Sequence, residues 1–411
     1  MRLFKSRRNL RSDKKGNVLI MVAAAMPLLV GSAGLAVDTI QLSLLKRHLQ
    51  RAADSAALAG AYAKAQTKDA NAAATKALGF NDAFPLSSAA ITQPTSGTHA
   101  NRAVRVVLTA KRALPFWSFF SSKLPIINVQ ATAALVFSGK YCMVSLDESS
   151  GTGITFAGNA TVNLGCGMIS NTTGSSAVSA AGSAAVTASP IAAVGGVPSS
   201  SVYKQPTLLL PYSLKQADPF STIPDPVIRA EGCFPQITDS TLPTSIVSGR
   251  CYKGMDVDRA FPLPANTTLI LTGPLTLNSK ADLSGTGATI VLTSETPTNP
   301  TSFPSVSING SAKVDLSAPT SGTYEGVIMY YDRRAPTAGH KINGNSTSKF
   351  VGAFYFPSQD LTFNGNSGMT TNCIQLVAHH LTFEGNTTIN NSCPSGGGAK
   401  SFDAKWVRLV A

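Results

Sequence analysis

The longest feature of the hydrophobic pattern is a run of 21 uncharged positions from Asn17 to Val37, NVLIMVAAAMPLLVGSAGLAV. A helix needs roughly 20 such residues to cross the hydrocarbon core of a bilayer. Residues 1–16 hold seven bases (Arg2, Lys5, Arg7, Arg8, Arg11, Lys14, Lys15) against Asp13, and Asp38 opens the far side. The positive-inside rule then keeps the N-terminus cytoplasmic and exports everything after Val37. A cleaved signal peptide is the alternative, since Gly34 and Ala36 fit a cut after Ala36, although the run exceeds the usual apolar core of about 7–15 residues. The charge asymmetry argues against a buried core helix.

Beyond Asp38 the pattern stays helical to about Gly79, rich in Ala, Leu, Lys and Gln, which predicts one long helix leaving the membrane. Leu42, Leu45, Leu49, Ala52, Ala53, Ala56 and Ala59 recur at three- and four-residue steps. This stripe of mainly small side chains either packs on its own domain or docks on pilin-like helices, and spacing alone does not separate the two. Two strand-like runs follow, from Ala103 and from Ile126, separated by PFWSFFSSKLP. Helix followed by strands predicts a small α+β unit. The rings of Phe116, Trp117, Phe119 and Phe120 fit either a membrane interface or an ordinary core.

From Tyr141 the texture changes to Ser, Thr, Gly and Asn with short β-branched runs, a signature of strands and turns. A unit recurs around Gly158, Gly182, Gly310, Gly344, Gly365 and Gly385, as in TFAGNATVNL, TFNGNSGMTT and TFEGNTTINN. The last three glycines are 21 and 20 residues apart, a period that predicts stacked coils of a parallel β-solenoid. Glycine permits tight corners, and stacked Asn side chains can bond between coils. The sequons at Asn159, Asn345 and Asn386 are read as this corner chemistry rather than as glycosylation sites. Residues 190–264 are rich in proline, which reads as an excursion from the coils. The Ala/Ser/Gly stretch from Val178 to Gly196 fits small-cored coils or a flexible linker.

Composition narrows function. The net charge is +13, but +6 of it sits in residues 1–16, and no later cluster interleaves bases with aromatics, so no nucleic-acid partner is expected. Six cysteines, Cys142, Cys166, Cys233, Cys251, Cys373 and Cys393, all follow the apolar run. Export favours disulfides, and neighbour pairing (142 with 166, 233 with 251, 373 with 393) is one of about 15 possibilities. There is no CxxC, and His379-His380 has no spaced ligands nearby in sequence, so neither a metal nor a cofactor is expected. A β-helical polysaccharide hydrolase or lyase would need paired carboxylates. Glu325, Asp332, Asp360 and Glu384 are scattered, and neither a phosphate loop nor a nucleophile elbow is present, so no enzyme activity is expected.

The basic stub, GNVLIMVAAAMPLLVGSAGLAVD with Pro27 at its centre, and LLKRHLQRAADSAALAGA together resemble the N-terminal region of TadE/TadG-like Flp pilus-assembly proteins over roughly residues 10–65. The resemblance implies a single-pass inner-membrane anchor, other pilus-assembly or pilin-like proteins as partners, and a structural role in the tight-adherence pilus system. Two departures limit it. Gly16 lacks an acidic residue at the fifth following position, so prepilin cleavage is not expected, and Asp147-Glu148-Ser149-Ser150-Gly151 lacks the last serine of a von Willebrand A-like metal motif. A surface adhesin binding glycans through its coils is the alternative function. The expected architecture is an α+β N-terminal unit on a long transmembrane-to-periplasmic helix, then a mainly-β right-handed parallel β-solenoid. Its segments are a cytoplasmic stub (1–16), a transmembrane helix (17–37), a pilin-like α+β domain (38–140), first coils (141–189), the excursion (190–264), further coils (265–395) and a C-terminal tail (396–411). The bulk would lie in the periplasm or outside the cell.

Overall fold

A computed structural model describes residues 16–81, 85–343, 348–365, 368–371, 373–391 and 402–410. The chain divides into two compact units, one reaching Val136 and including the residues from Val407 onward, the other Phe137–Trp406.

In the first unit, helix α1 runs unbroken from Gly16 to Ala65, 50 residues with Pro27 inside it, or about 75 Å at 1.5 Å per residue. Its first half exposes Val18, Leu19, Ile20, Met21, Leu28 and Leu29. Its second half buries Leu45, Leu49, Ala52, Ala53, Ala56, Ala57 and Ala61. The stripe of small residues is therefore used within its own unit. A Cβ added at Gly60 would meet Val104 Cγ1 at 2.9 Å and the Ala70 carbonyl at 3.1 Å, so a side chain there would push the neighbouring elements apart.

The single helix expected as far as Gly79 is instead two. The chain turns at Thr67, whose φ is +58°, and restarts as α2 (Ala70–Phe80). Asp69 caps the new helix by accepting from the N–H groups of Asn71 and Ala72 at 2.9 and 3.1 Å, which satisfies donors that a helix start leaves unpaired. Strands β1 (Ser88–Thr92), β2 (Ala103–Lys111) and β3 (Ile126–Ser145) follow. They form an antiparallel meander, with Ile91 opposite Val106 and Val106 opposite Ala131. β2 buries Val104, Val106, Leu108 and Ala110, the alternation of a half-buried strand. β1 lay unrecognised in a polar, proline-containing stretch.

The second unit is mostly parallel ladders. One row of paired residues reads Cys251, Ile270, Val291, Tyr330, Tyr355, Val377, Val144, Ile169, Ala192, Leu210. A second reads Val257, Leu277, Ile308, Ile342, Phe363, Phe383, Phe156, Ala180. A third row, in a separate and smaller sheet, aligns Met369, Ile389, Val162 and Val186. These three rows show the same inversion: the last tier of the chain, from Cys373 to Asn391, pairs with the first tier, from Tyr141 to Asn163. The inward side chains form one continuous core. At the inversion its rings stack, Phe363 on Phe383 at 5.3 Å and Phe383 on Phe156 at 5.2 Å between centroids, geometry that adds about 1 kcal/mol per pair beyond burial.

Glycine corners cross the same junction. Gly158 and Gly182 have φ of +66° and +74°, and a Cβ at Gly158 would approach Gly385 N to 3.1 Å while one at Gly182 would approach Gly158 O to 2.8 Å. Both the positive φ and the close tiers exclude a side chain there. Asn159 Nδ2 donates to Asn386 Oδ1 at 3.1 Å, bridging the last tier to the first.

The inversion forces a long connection. From Leu210 at one end of the first row the chain must reach Phe234 and Ile237, which bridge to Tyr252 and Met255 at the other. Residues 211–233 make this passage along the outer side of the row, where Phe220 and Ile223 join the outward-facing Tyr141, Val144, Val291, Tyr330, Tyr355 and Val377 in a second core, together with Phe402. This explains why strands such as Thr289–Leu292 and Val327–Tyr331 are buried on both faces. The proline-rich segment 190–264 is thus not all excursion, because Ile191–Ala193, Leu209–Leu210, Cys251–Tyr252, Met255–Val257 and Ala260–Pro262 are ladder strands. Val178–Ala180 and Ala185–Thr187 are strands as well, not linker. The expected tail contains the strand Phe402–Leu409.

Arg333 ties this passage down, donating to the carbonyls of Ser221, Phe220 and Ile223 at 3.1, 3.2 and 2.9 Å. Arg334 reaches Pro226 O at 2.9 Å, and Tyr355 donates to Asp218 at 2.7 Å. Replacing Arg333 with Ala removes three charge-assisted bonds at once. It is expected to lower unfolding stability by about 2 kcal/mol and to open residues 211–233 to protease; unchanged urea unfolding and an unchanged digestion pattern would show that the passage is held by Phe220 and Ile223 alone.

Candidate functional sites: a helix exit and a histidine–aspartate cluster

Two places gather functional chemistry. The first is where α1 changes from exposed apolar residues to buried ones. Asp38, the first charge after the apolar run, is buried and accepts from the Trp117 N–H at 2.6 Å. The Phe116 ring lies over Gly34, where an added Cβ would come within 2.1 Å of it. Trp117 Nε1 donates to Lys123 O at 2.9 Å and closes the loop on itself. What remains outside is apolar: Phe119 is 82% and Phe120 72% exposed, with Trp117, Leu124 and Ile126 also exposed. The ordinary-core reading of these aromatics does not hold for Trp117, Phe119 and Phe120.

The second place lies at the inverted junction. Asp360, His379 and His380 sit at the bend between the first and second ladders, where the register shifts between Phe356 and Asp360. Asp147 follows the end of β3 in the adjoining tier. Adjacent residues on a flat strand point to opposite faces, but at this bend the two imidazoles stand side by side, centroids 4.2 Å apart. Their Nδ1 atoms lie 2.8 Å (His379) and 2.9 Å (His380) from Asp360 Oδ1. Their Nε2 atoms face Asp147, His380 at 2.8 Å and His379 at 3.5 Å. Asp147 is nearly buried, and it also accepts from Ser149 N at 3.0 Å and Ser149 Oγ at 2.5 Å.

Burial alone would raise the Asp147 carboxyl, but the Ser149 bonds and His380 outweigh it and hold its pKa down to about 2. Asp360 is likewise lowered, burial being overcome by His380 and His379. His380 is raised, first by its bond to Asp360 and against the effect of burial. Asp147, His379 and His380 present donor atoms within 4.8 Å of one another. The ligands found missing beside the histidine pair in sequence come from residues about 20 and 230 positions away. The serine motif at Asp147 is incomplete, yet Ser149 still orients that carboxylate.

The other acids singled out in the sequence are placed apart from such chemistry. Asp332 is fully buried and accepts from Thr293 and Arg334, both at 2.6 Å, so its pKa stays low despite the desolvation that pushes it up. Glu384 accepts from Asn364 at 3.3 Å, and Glu325 is also partnered. Cys142 is bonded to Cys166 and Cys233 to Cys251, with Cα atoms 6.0 and 4.7 Å apart. Cys373 is disulfide-bonded too; Cys393 and Asn345 lie outside the described residues, as do residues 1–15.

Residues 16–65 match the sequence profile of the family described as "Putative Flp pilus-assembly TadE/G-like". Helix α1 is TadE/G-like. The match has the same bounds as the helix, Gly16–Ala65, so it covers both the exposed apolar half and the half packed in the α+β unit. No curated protein and no solved structure matches the chain.

The second disulfide joins the start of the Phe234 tier to the next across 18 residues. A loop of that size restricts the unfolded chain by about 3 kcal/mol. The double change Cys233→Ser, Cys251→Ser is expected to lower urea stability by that order, and an unchanged midpoint would remove the bond from the list of forces holding this end of the ladders.

Proposed function

We propose that the chain is a single-pass, membrane-anchored structural component of Flp (tight-adherence) pilus assembly, with its N-terminus in the cytoplasm and its bulk in the periplasm. The observation that carries this reading is the coincidence of the TadE/G-like match with a 50-residue helix whose first half leaves its apolar side chains exposed. That half, uncharged from Asn17 to Val37, is long enough to span a bilayer. In this reading the loop of Trp117, Phe119 and Phe120 lies in the headgroup layer beside the helix exit, where amphipathic rings are favoured. The parallel ladders form a right-handed β-solenoid that serves as a spacer or docking body, and the partners are other pilus-assembly or pilin-like proteins. The role is structural rather than catalytic, supported by the locked state of Asp332 and the bonded state of Asp360.

Deleting the gene is expected to reduce the number of pili counted by electron microscopy, with recovery on complementation; unchanged pili would overturn the assembly role. The interfacial loop is tested separately. In a Trp406→Phe chain reconstituted into vesicles, Trp117 fluorescence is expected to be quenched by lipids brominated near the headgroup, and Phe119→Ser with Phe120→Ser is expected to reduce that quenching. Absence of quenching in the parent chain would place the loop away from the bilayer.

A further inference from the structure

Two imidazoles held between two carboxylates raise a question of proton count. A neutral histidine has one N–H and one bare nitrogen. Here both Nδ1 atoms contact Asp360 and both Nε2 atoms face Asp147. If each Nδ1 carries the hydrogen donated to Asp360, each Nε2 directs a lone pair at a carboxylate that Ser149 already fixes in place. A cation placed between them would accept both lone pairs and meet the carboxylate charge at once.

We infer that Asp147, His379 and His380 form a binding site for a divalent transition-metal ion such as zinc, with Asp360 as the outer carboxylate that orients both imidazoles. Two histidines and one carboxylate are a donor set suited to zinc or ferrous iron. Ligand atoms on tetrahedral zinc stand about 3.3 Å apart, given metal–ligand bonds near 2.0–2.1 Å; here His380 Nε2 lies 2.8 Å from Asp147 Oδ2 and His379 Nε2 3.5 Å from Oδ1, and one donor atom from each of the three residues lies within 4.8 Å of the others. Asp360 accepting from the far nitrogen of a metal-binding histidine is the usual outer-shell device, fixing the tautomer and turning Nε2 toward the metal. The backbone holds the set together as well: Leu146 N–H donates to Ala378 O at 2.8 Å, and Ser145 Oγ donates to His379 O at 2.6 Å.

The position gives the ion a task. Asp147 belongs to the first tier and the histidines to the last, Asp147 and His380 being 233 positions apart in the sequence. A metal there clips the inverted junction across a very long loop, the case in which a crosslink removes the most chain entropy. The histidines retain partial exposure, so the ion can enter from solvent after folding.

The test uses the untagged full chain in detergent at neutral pH, stripped with a chelator and titrated with Zn²⁺ and, separately, Co²⁺. One Zn²⁺ per chain is expected, with a rise in thermal midpoint of about 5 °C at a hundredfold excess over Kd, and Co²⁺ is expected to give absorption bands of nitrogen and oxygen coordination. Asp147→Asn and His380→Gln should weaken binding by more than a hundredfold, Asp360→Asn by about 10- to 100-fold, and His99→Ala not at all. Failure of the parent chain to bind Zn²⁺ saturably, or unchanged affinity in the folded His380→Gln chain, would overturn the site. Neither result depends on pilus counts, so the site and the assembly role stand or fall separately.

Discussion

The structure of the larger unit depends on the parallel pairing of its last tier with its first. Val377 beside Val144 and Phe383 beside Phe156 join two runs of tiers through strands that lie more than 200 residues apart in the sequence. Remove that seam and two shorter stacks remain, each with an open parallel edge. Exposed edges of this kind favour pairing with other chains. The inversion converts two of the four possible ends into a continuous core, and the stacked rings, glycine corners and Asn159–Asn386 bond all fall at the tiers where it occurs.

The other features of this unit follow from that constraint. A stack assembled out of chain order needs a return path, and residues 211–233 supply it. Because the path runs along the outer face of the first row, that face must be apolar, which is why its residues are valine, tyrosine and isoleucine where the solvent side of a half-exposed ladder would carry serine or threonine. Proline suits the path because it needs no ladder bonds of its own. Its carbonyls turn instead to Arg333 and Arg334, whose charges are matched by Asp225 and Asp332.

Much of this was legible in the sequence, in pieces. The exposed apolar run, the strand-like runs from Ala103 and Ile126, and the glycine period around Gly365 and Gly385 are local patterns, and local patterns survive in a single sequence. The order of the tiers is not local. Nothing near His379-His380 indicates Asp147, because their proximity is created by a ladder between distant segments, and the bend that places both imidazoles together breaks the alternation a straight strand would impose. The break before α2 was missed for a different reason: alanine-rich residues on both sides of Thr67 favour helix, and only the capping carboxylate of Asp69 marks the restart.

The point at which the chain enters the row also bears on function. β3 contributes Val144 to the seventh position of a ten-residue row, so the tiers extend to either side of the strand that links them to the α+β unit. A stack entered at its end would leave one terminal tier free of the entering strand. Entry within the row leaves two terminal tiers, one near Leu210 and one near Phe234, and the second is tied by the Cys233–Cys251 bond. Terminal tiers are where a repeat stack must be capped or must meet a partner. The two ends are therefore separate, and Asp147, His379 and His380 sit between them at the seam that keeps both runs of tiers in one piece.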